Sequence, residues 1–125
     1  MQVLIVESRS ELGQLWQAHL QRQGIEVARA GTQEGAVDYL ATHEVDIIIL
    51  DLVLEEGASL AVADYANYRR PDARVIFVTS TRFFSDGSIF AHFANARAFL
   101  ATDTPPEDLA AMVEHYGADR GKVAS

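Results

Sequence analysis

Three apolar stretches of the chain end in oxygen-bearing side chains: VLIV before Glu7-Ser8, the run DIIIL before Asp51, and RVIFV before Thr79-Ser80-Thr81. Carboxylates and hydroxyls gathered in one place can hold a hard cation or accept and hydrogen-bond a phosphoryl group. Asp51 is central among them. Four apolar residues, 47–50, lead directly into it and Leu52, Val53 and Leu54 follow, the pattern of a strand buried on both faces whose tip carries one carboxylate. Taken alone, Asp51 is equally well explained as a cap for the strand end or the following turn. The positions of the other tips must decide.

Residues 2–6, QVLIV, predict the first strand. Leu12, Leu15, Trp16, His19 and Gln23 then recur at three and four, the period of a helix laid on a sheet, with Gly24 ending it. Ser8 followed three residues later by Glu11 matches a capping box and predicts Ser8 as the start of that helix. The alternation in IEVARA, 25–30, predicts a half-exposed edge strand. Gly31-Thr32 supply a turn and N-cap, and Ala36, Val37 and Leu40 mark a second helix ending near His43. After the third strand, 55–59 is a loop, and 60–69 is a helix stopped by Pro71. RVIFVT, 74–79, is the fourth strand. Within 82–96, Ser85-Asp86-Gly87-Ser88 marks a turn, with Ile89, Phe90 and Phe93 at helical spacing behind it. AFLA, 98–101, is the fifth strand. Thr104-Pro105-Pro106-Glu107 opens a last helix with Pro at its first position, its apolar stripe being Leu109, Met112, Val113 and Tyr116. Gly117 is expected to close both that helix and the domain, 1–117, leaving 118–125 as a flexible tail.

Strict alternation of strand and helix implies an α/β fold, a doubly wound five-stranded parallel sheet with helices on both faces. In such sheets ligands gather outside the carboxyl ends of the strands. Glu7-Ser8, Asp51 and Thr79-Ser80 all fall at that rim, which favours the chemical reading of Asp51 over the capping one.

Composition narrows the function classes. A chain of 125 residues suits one domain, and 49% hydrophobic with 22% charged residues is ordinary for a globular protein. No apolar run approaches the roughly 18 residues of a membrane span, and with the first strand starting at once no signal segment is expected. Zero cysteines exclude disulfides, thiolate metal sites and cysteine nucleophiles, and a cytoplasmic location is expected. A formal charge of −8 argues against nucleic acid and anionic membranes as partners. His19, His43, His92 and His115 are isolated from one another, which supports neither a zinc site nor a relay histidine. No GxxxxGK[ST], GxGxxG or GxSxG segment is present.

The whole pattern resembles the receiver domain of two-component response regulators, carried by VLIVES at strand one, DIIILDLVL at strand three, VIFVTS at strand four and AFLATDTPPEDL from strand five into the last helix. The resemblance implies a flavodoxin-like (βα)5 fold with strand order 2-1-3-4-5. It implies a phosphoacceptor at Asp51, fed by a histidine kinase or phosphotransfer protein, and no enzymatic activity beyond self-phosphorylation and self-dephosphorylation of that residue. It also assigns Thr79 as the hydroxyl that bonds the phosphoryl group, and Glu7, Asp51 and the backbone carbonyl of Val53 as ligands of Mg²⁺. Two family positions depart from the pattern. Ser8 stands where an acidic metal ligand is usual, and Thr102-Asp103 stands where a lysine pairs with the phosphoryl oxygens. The first change weakens a Mg²⁺ site and the second removes a compensating charge. Arg9 and Arg82, both on rim loops, are the cations nearest in sequence that could pair with phosphate.

In the same family the output surface comprises the fourth helix, fifth strand and fifth helix, with an aromatic on strand five matched here by Phe99. Phe83 and Phe84, if outward, would form a patch for a downstream partner or a second copy of the chain. Two readings therefore stand side by side: an atypical phosphorylated receiver, and a pseudo-receiver that is never phosphorylated and acts as a constitutive interaction or dimerisation module. A small flavodoxin-like enzyme is disfavoured because no phosphate-cradling loop follows strand one. The chain could be a stand-alone adaptor or a part of a longer protein.

Overall fold

The computed structural model describes residues 1–79 and 95–124, with only the backbone course given for 118–124. Five strands, β1 (Gln2–Val6), β2 (Glu26–Ala30), β3 (Ile47–Asp51), β4 (Arg74–Thr79) and β5 (Ala96–Ala101), alternate with helices α1 (Ser10–Gln21), α2 (Gln33–Thr42) and α3 (Ser59–Arg69). A C-terminal helix, Pro106–Ala124, follows β5. All pairings are parallel and the order is β2-β1-β3-β4-β5, as the resemblance implies. The expected helix at 89–93, with Phe83, Phe84 and Arg82, lies outside the described residues.

Successive strand side chains point to opposite faces, so a strand covered on both sides must be apolar throughout. Ile48 and Leu50 of β3 accordingly join Leu4, Val6, Val75 and Phe77 against α2 and α3. Ile47 and Ile49 join Val3, Ile5, Ile76 and Val78 against Trp16 and Leu20 of α1 and Leu109 and Val113 of the C-terminal helix. Residues 47–50 are all fully buried, whereas β2 is only half-covered, as an edge strand is. Thr32 caps α2 by accepting from the Gly35 N–H at 3.0 Å, and Gly24 ends the α1 segment at φ +79.

Helix α1 departs from the sequence expectation in two ways. Its buried residues are Gly13, Trp16 and Leu20, while Leu15 is 46% exposed. Gly13 is buried on this face, where a Cβ would meet the Arg29 side chain at 3.3 Å and Glu7 Cβ at an ordinary contact distance of 3.9 Å. Ser8 is not the cap either. Arg9 occupies the N-cap with extended backbone and no side-chain cap bond. The expected stop at Gly117 is also passed, since the C-terminal helix runs on to Ala124. At β5 the pairing skips Arg97, which stands out from the sheet between Val75↔Ala96 and Ile76↔Ala98.

The rotated face of α1 makes a direct prediction. Trp16→Ala should lower unfolding free energy by about 3–5 kcal/mol. Leu15→Ala should change it by only about 0.5 kcal/mol. Urea denaturation of the two variants checks this, and equal losses would restore the stripe expected from the sequence.

Candidate functional site

Register alone brings the acidic tips together. Val6 pairs with Leu50, so the residues that follow, Glu7 and Asp51, emerge side by side at the same rim. Asp51 pairs laterally with Val78, placing Thr79 one step further along the adjacent strand. Thr79 pairs with Ala101, and its carbonyl accepts from the Thr102 N–H at 3.0 Å. The structure therefore brings Glu7, Asp51, Thr79 and Thr102 to one end of the sheet.

Both carboxylates are almost completely covered, the Glu7 side chain being 0% and the Asp51 side chain 4% exposed. Arg9 bridges them, its own side chain being 49% exposed. Its Nε donates to Glu7 Oε1 at 2.7 Å and its Nη2 to Asp51 Oδ2 at 3.1 Å, while its backbone N–H donates to the same Glu7 Oε1 at 3.1 Å. Asp51 Oδ1 accepts from the Val53 N–H at 2.8 Å. Among the described residues no N–H or hydroxyl donates to the buried Glu7 Oε2.

That arrangement shifts both Glu7 and Arg9 upward. Burial pushes the Glu7 carboxyl up from 4.5 to about 7, and the hydrogen bond and charge of Asp51 push the same way, against the bonds from Arg9. Two carboxyl groups hydrogen-bond only with a proton between them, so the pair favours a protonated Glu7. The guanidinium is pulled further up, first by its bond to Glu7, despite its own partial burial.

Ser8, one residue along, has turned from the helix to the loops. Its hydroxyl donates to the Gly31 carbonyl at 3.2 Å and accepts from the Glu55 N–H at 2.9 Å. The loop after Asp51 is also held by Gln33, whose Oε1 accepts from the Ala58 N–H at 2.8 Å and whose N–H donates to the Glu56 carbonyl at 3.2 Å. Gly57 between them has φ +93, and a Cβ there would sit 2.3 Å from Gln33 Cβ, so no other residue fits. Across the rim, Thr102 and Asp103 face Arg9, Glu11, Leu12 and Leu15 over an open cleft of about 430 Å³. Phe99 is half-buried, with its ring centroid 6.3 Å from that of Phe77.

These residues do not suit a hard dication as they are arranged. Such an ion needs several free anionic oxygens. Here one oxygen of each carboxylate is engaged by the guanidinium, a second by the Val53 amide, and the Ser8 hydroxyl by two loop backbones. Among the described residues no group of three or more His, Cys, Asp or Glu is placed to hold a metal ion. Sequence reasoning weighed Arg9 only as a phosphate partner and missed its bridging role. The available signal was a cation two residues beyond Glu7, at a strand tip otherwise rich in carboxylates.

The doubly wound sheet of order 2-1-3-4-5, with acidic residues at the carboxyl ends of its strands, defines a flavodoxin-like fold. The chain belongs to the response regulator receiver domain family, whose model matches residues 3–114. It is 30% identical over 76 residues to the regulatory protein LuxO of Vibrio vulnificus, a stretch covering 61% of this chain and 17% of that regulator. Its fold superposes with TM-score 0.89 on a CheY-like receiver domain protein from Methanospirillum hungatei JF-1, at 20% identity over 97% of this chain and 96% of the other. The response regulator TrrA of Thermotoga maritima, solved in complex with Mg(2+)-BeF, matches at TM-score 0.80 and 21% identity, over 92% and 97% of the two chains. Receiver domains are signalling modules that act with histidine kinases and downstream effectors, and they commonly bind Mg²⁺.

The raised Glu7 carboxyl predicts a pH dependence. Unfolded, the residue loses its proton near 4.5; folded, it keeps it to about 7. The native state thus binds more protons between these values, and stability falls as pH rises through them, by on the order of 3 kcal/mol at ~1.4 kcal/mol per unit. Glu7→Gln should match the wild type in urea denaturation at pH 5 and exceed it at pH 8. A wild-type curve that is flat over this range would contradict the assignment.

Proposed function

We propose that this chain is an atypical receiver of a cytoplasmic two-component pathway, with Asp51 as the phosphoacceptor and protein contact as its output. The observation that carries this reading is the Asp51 carboxylate at the tip of the central strand, beside Glu7 and one strand from Thr79, in a chain of the receiver family. An Asp51 oxygen would attack phosphorus as the bond from phosphorus to the donor histidine nitrogen, or to a small donor's leaving oxygen, breaks. The Thr79 hydroxyl would bond the new phosphoryl oxygens, and Phe99 would transmit the change to the β5 and C-terminal helix surface. Thr102 leaves the family lysine position neutral, and Asp103 adds a carboxylate beside it. Among the described residues, Arg9 is then the cation beside Asp51 that would meet the roughly two negative charges gained.

A second reading is favoured by a specific observation: Asp51 Oδ2 is already held by Arg9, and its side chain is 4% exposed. In that reading the domain is a constitutive interaction or dimerisation module. Incubation with acetyl phosphate, with and without Mg²⁺, followed by intact-mass measurement separates the two. One added phosphoryl group on wild type and none on Asp51→Asn is the expected result. No adduct under either condition, with partner binding unchanged in Asp51→Asn, establishes the second reading instead. Thr102→Lys should raise the equilibrium ratio of phosphorylated to unphosphorylated chain about tenfold, since a charge-assisted bond contributes ~1.5 kcal/mol.

A further inference from the structure

We propose that the Arg9 guanidinium is the resident cation of the acidic mouth and takes the place that a divalent metal would fill, so that Glu7 and Asp51 are assembled and held without Mg²⁺. Three independent features of the geometry carry this. One side chain reaches both carboxylates, through Nε to Glu7 at 2.7 Å and through Nη2 to Asp51 at 3.1 Å, as a bridging ion would. The carboxylates are almost wholly buried and the half-exposed guanidinium already bonds one oxygen of each, so a metal using those oxygens must first displace it. The neighbouring Ser8, whose hydroxyl is spent on Gly31 and Glu55, offers no anionic oxygen to draw an ion in.

Arg9 also stays put for structural reasons. Its backbone N–H is fixed on Glu7 Oε1, and its carbonyl accepts from the Gly13 N–H at 3.0 Å in the first turn of α1. The guanidinium is therefore launched from a tethered residue, and it keeps its charge throughout the accessible pH range. A metal must compete with a cation present at very high effective concentration. Removing the arginine side chain leaves two adjoining carboxylates, a vacancy with the charge and the oxygens that a hard dication prefers.

The test is a thermal melt of the full chain in about 10 mM MgCl₂ against NaCl of equal ionic strength, for wild type and Arg9→Met. An ion that binds only the folded state raises the midpoint. The wild type should shift by less than about 1 °C and Arg9→Met by about 4 °C or more. Arg9→Met that folds only when Mg²⁺ is added, by circular dichroism, supports the proposal equally. A wild-type shift as large as that of the variant overturns it, as does a folded Arg9→Met that does not respond. Should the variant stay unfolded in both salts, titration calorimetry of Mg²⁺ into wild type decides, heat of binding at millimolar Mg²⁺ or below overturning the proposal and its absence upholding it. The outcome does not depend on whether Asp51 accepts phosphate, so this inference and the functional reading fail separately.

Discussion

Two carboxylates emerging side by side from adjacent parallel strands, both out of water, are the constraint on which the rest of the structure turns. Two like charges about 4 Å apart repel by ~4 kcal/mol at the effective dielectric of a protein near its surface. A single cation touching both supplies two attractions of that order against the one repulsion. Arg9 does this, and the remainder of the tension is relieved by the proton that Glu7 retains. The guanidinium reaches one oxygen of Glu7, and among the described residues no N–H or hydroxyl donates to the other.

The sheet is what creates the problem and what confines it. Parallel pairing in register forces the tips of β1 and β3 to the same level, and the unbroken apolar run of β3 leaves its first hydrophilic atom at Asp51. Arg9, the residue before α1, is tethered there by its backbone, whose N–H donates to Glu7 Oε1 and whose carbonyl accepts from the Gly13 N–H.

Those same causes explain what could be read from the sequence. β3 was legible because burial on both faces demands a continuous apolar run, and β2 because one exposed face imposes alternation. Glu7, Asp51 and Thr79 were legible as a group because topology alone gathers strand tips. Helix α1 was placed correctly but turned incorrectly: periodicity counts apolar residues, and Gly13, buried for its lack of a side chain, contributes nothing to that count. Ser8 fits a local capping pattern, yet its hydroxyl bonds Gly31 and Glu55, 23 and 47 residues away. The partnership of Arg9 with a carboxylate 42 residues distant has the same character, being fixed by the fold and carrying no local signature.

The Ser8 hydroxyl has a mechanical meaning. One oxygen ties the segment leaving β1 to the turn after β2 and to the loop after β3, while Gln33 clasps that loop again at two backbone points. Three connections that would otherwise fluctuate singly are riveted into one plate along the β2 flank of the central strand.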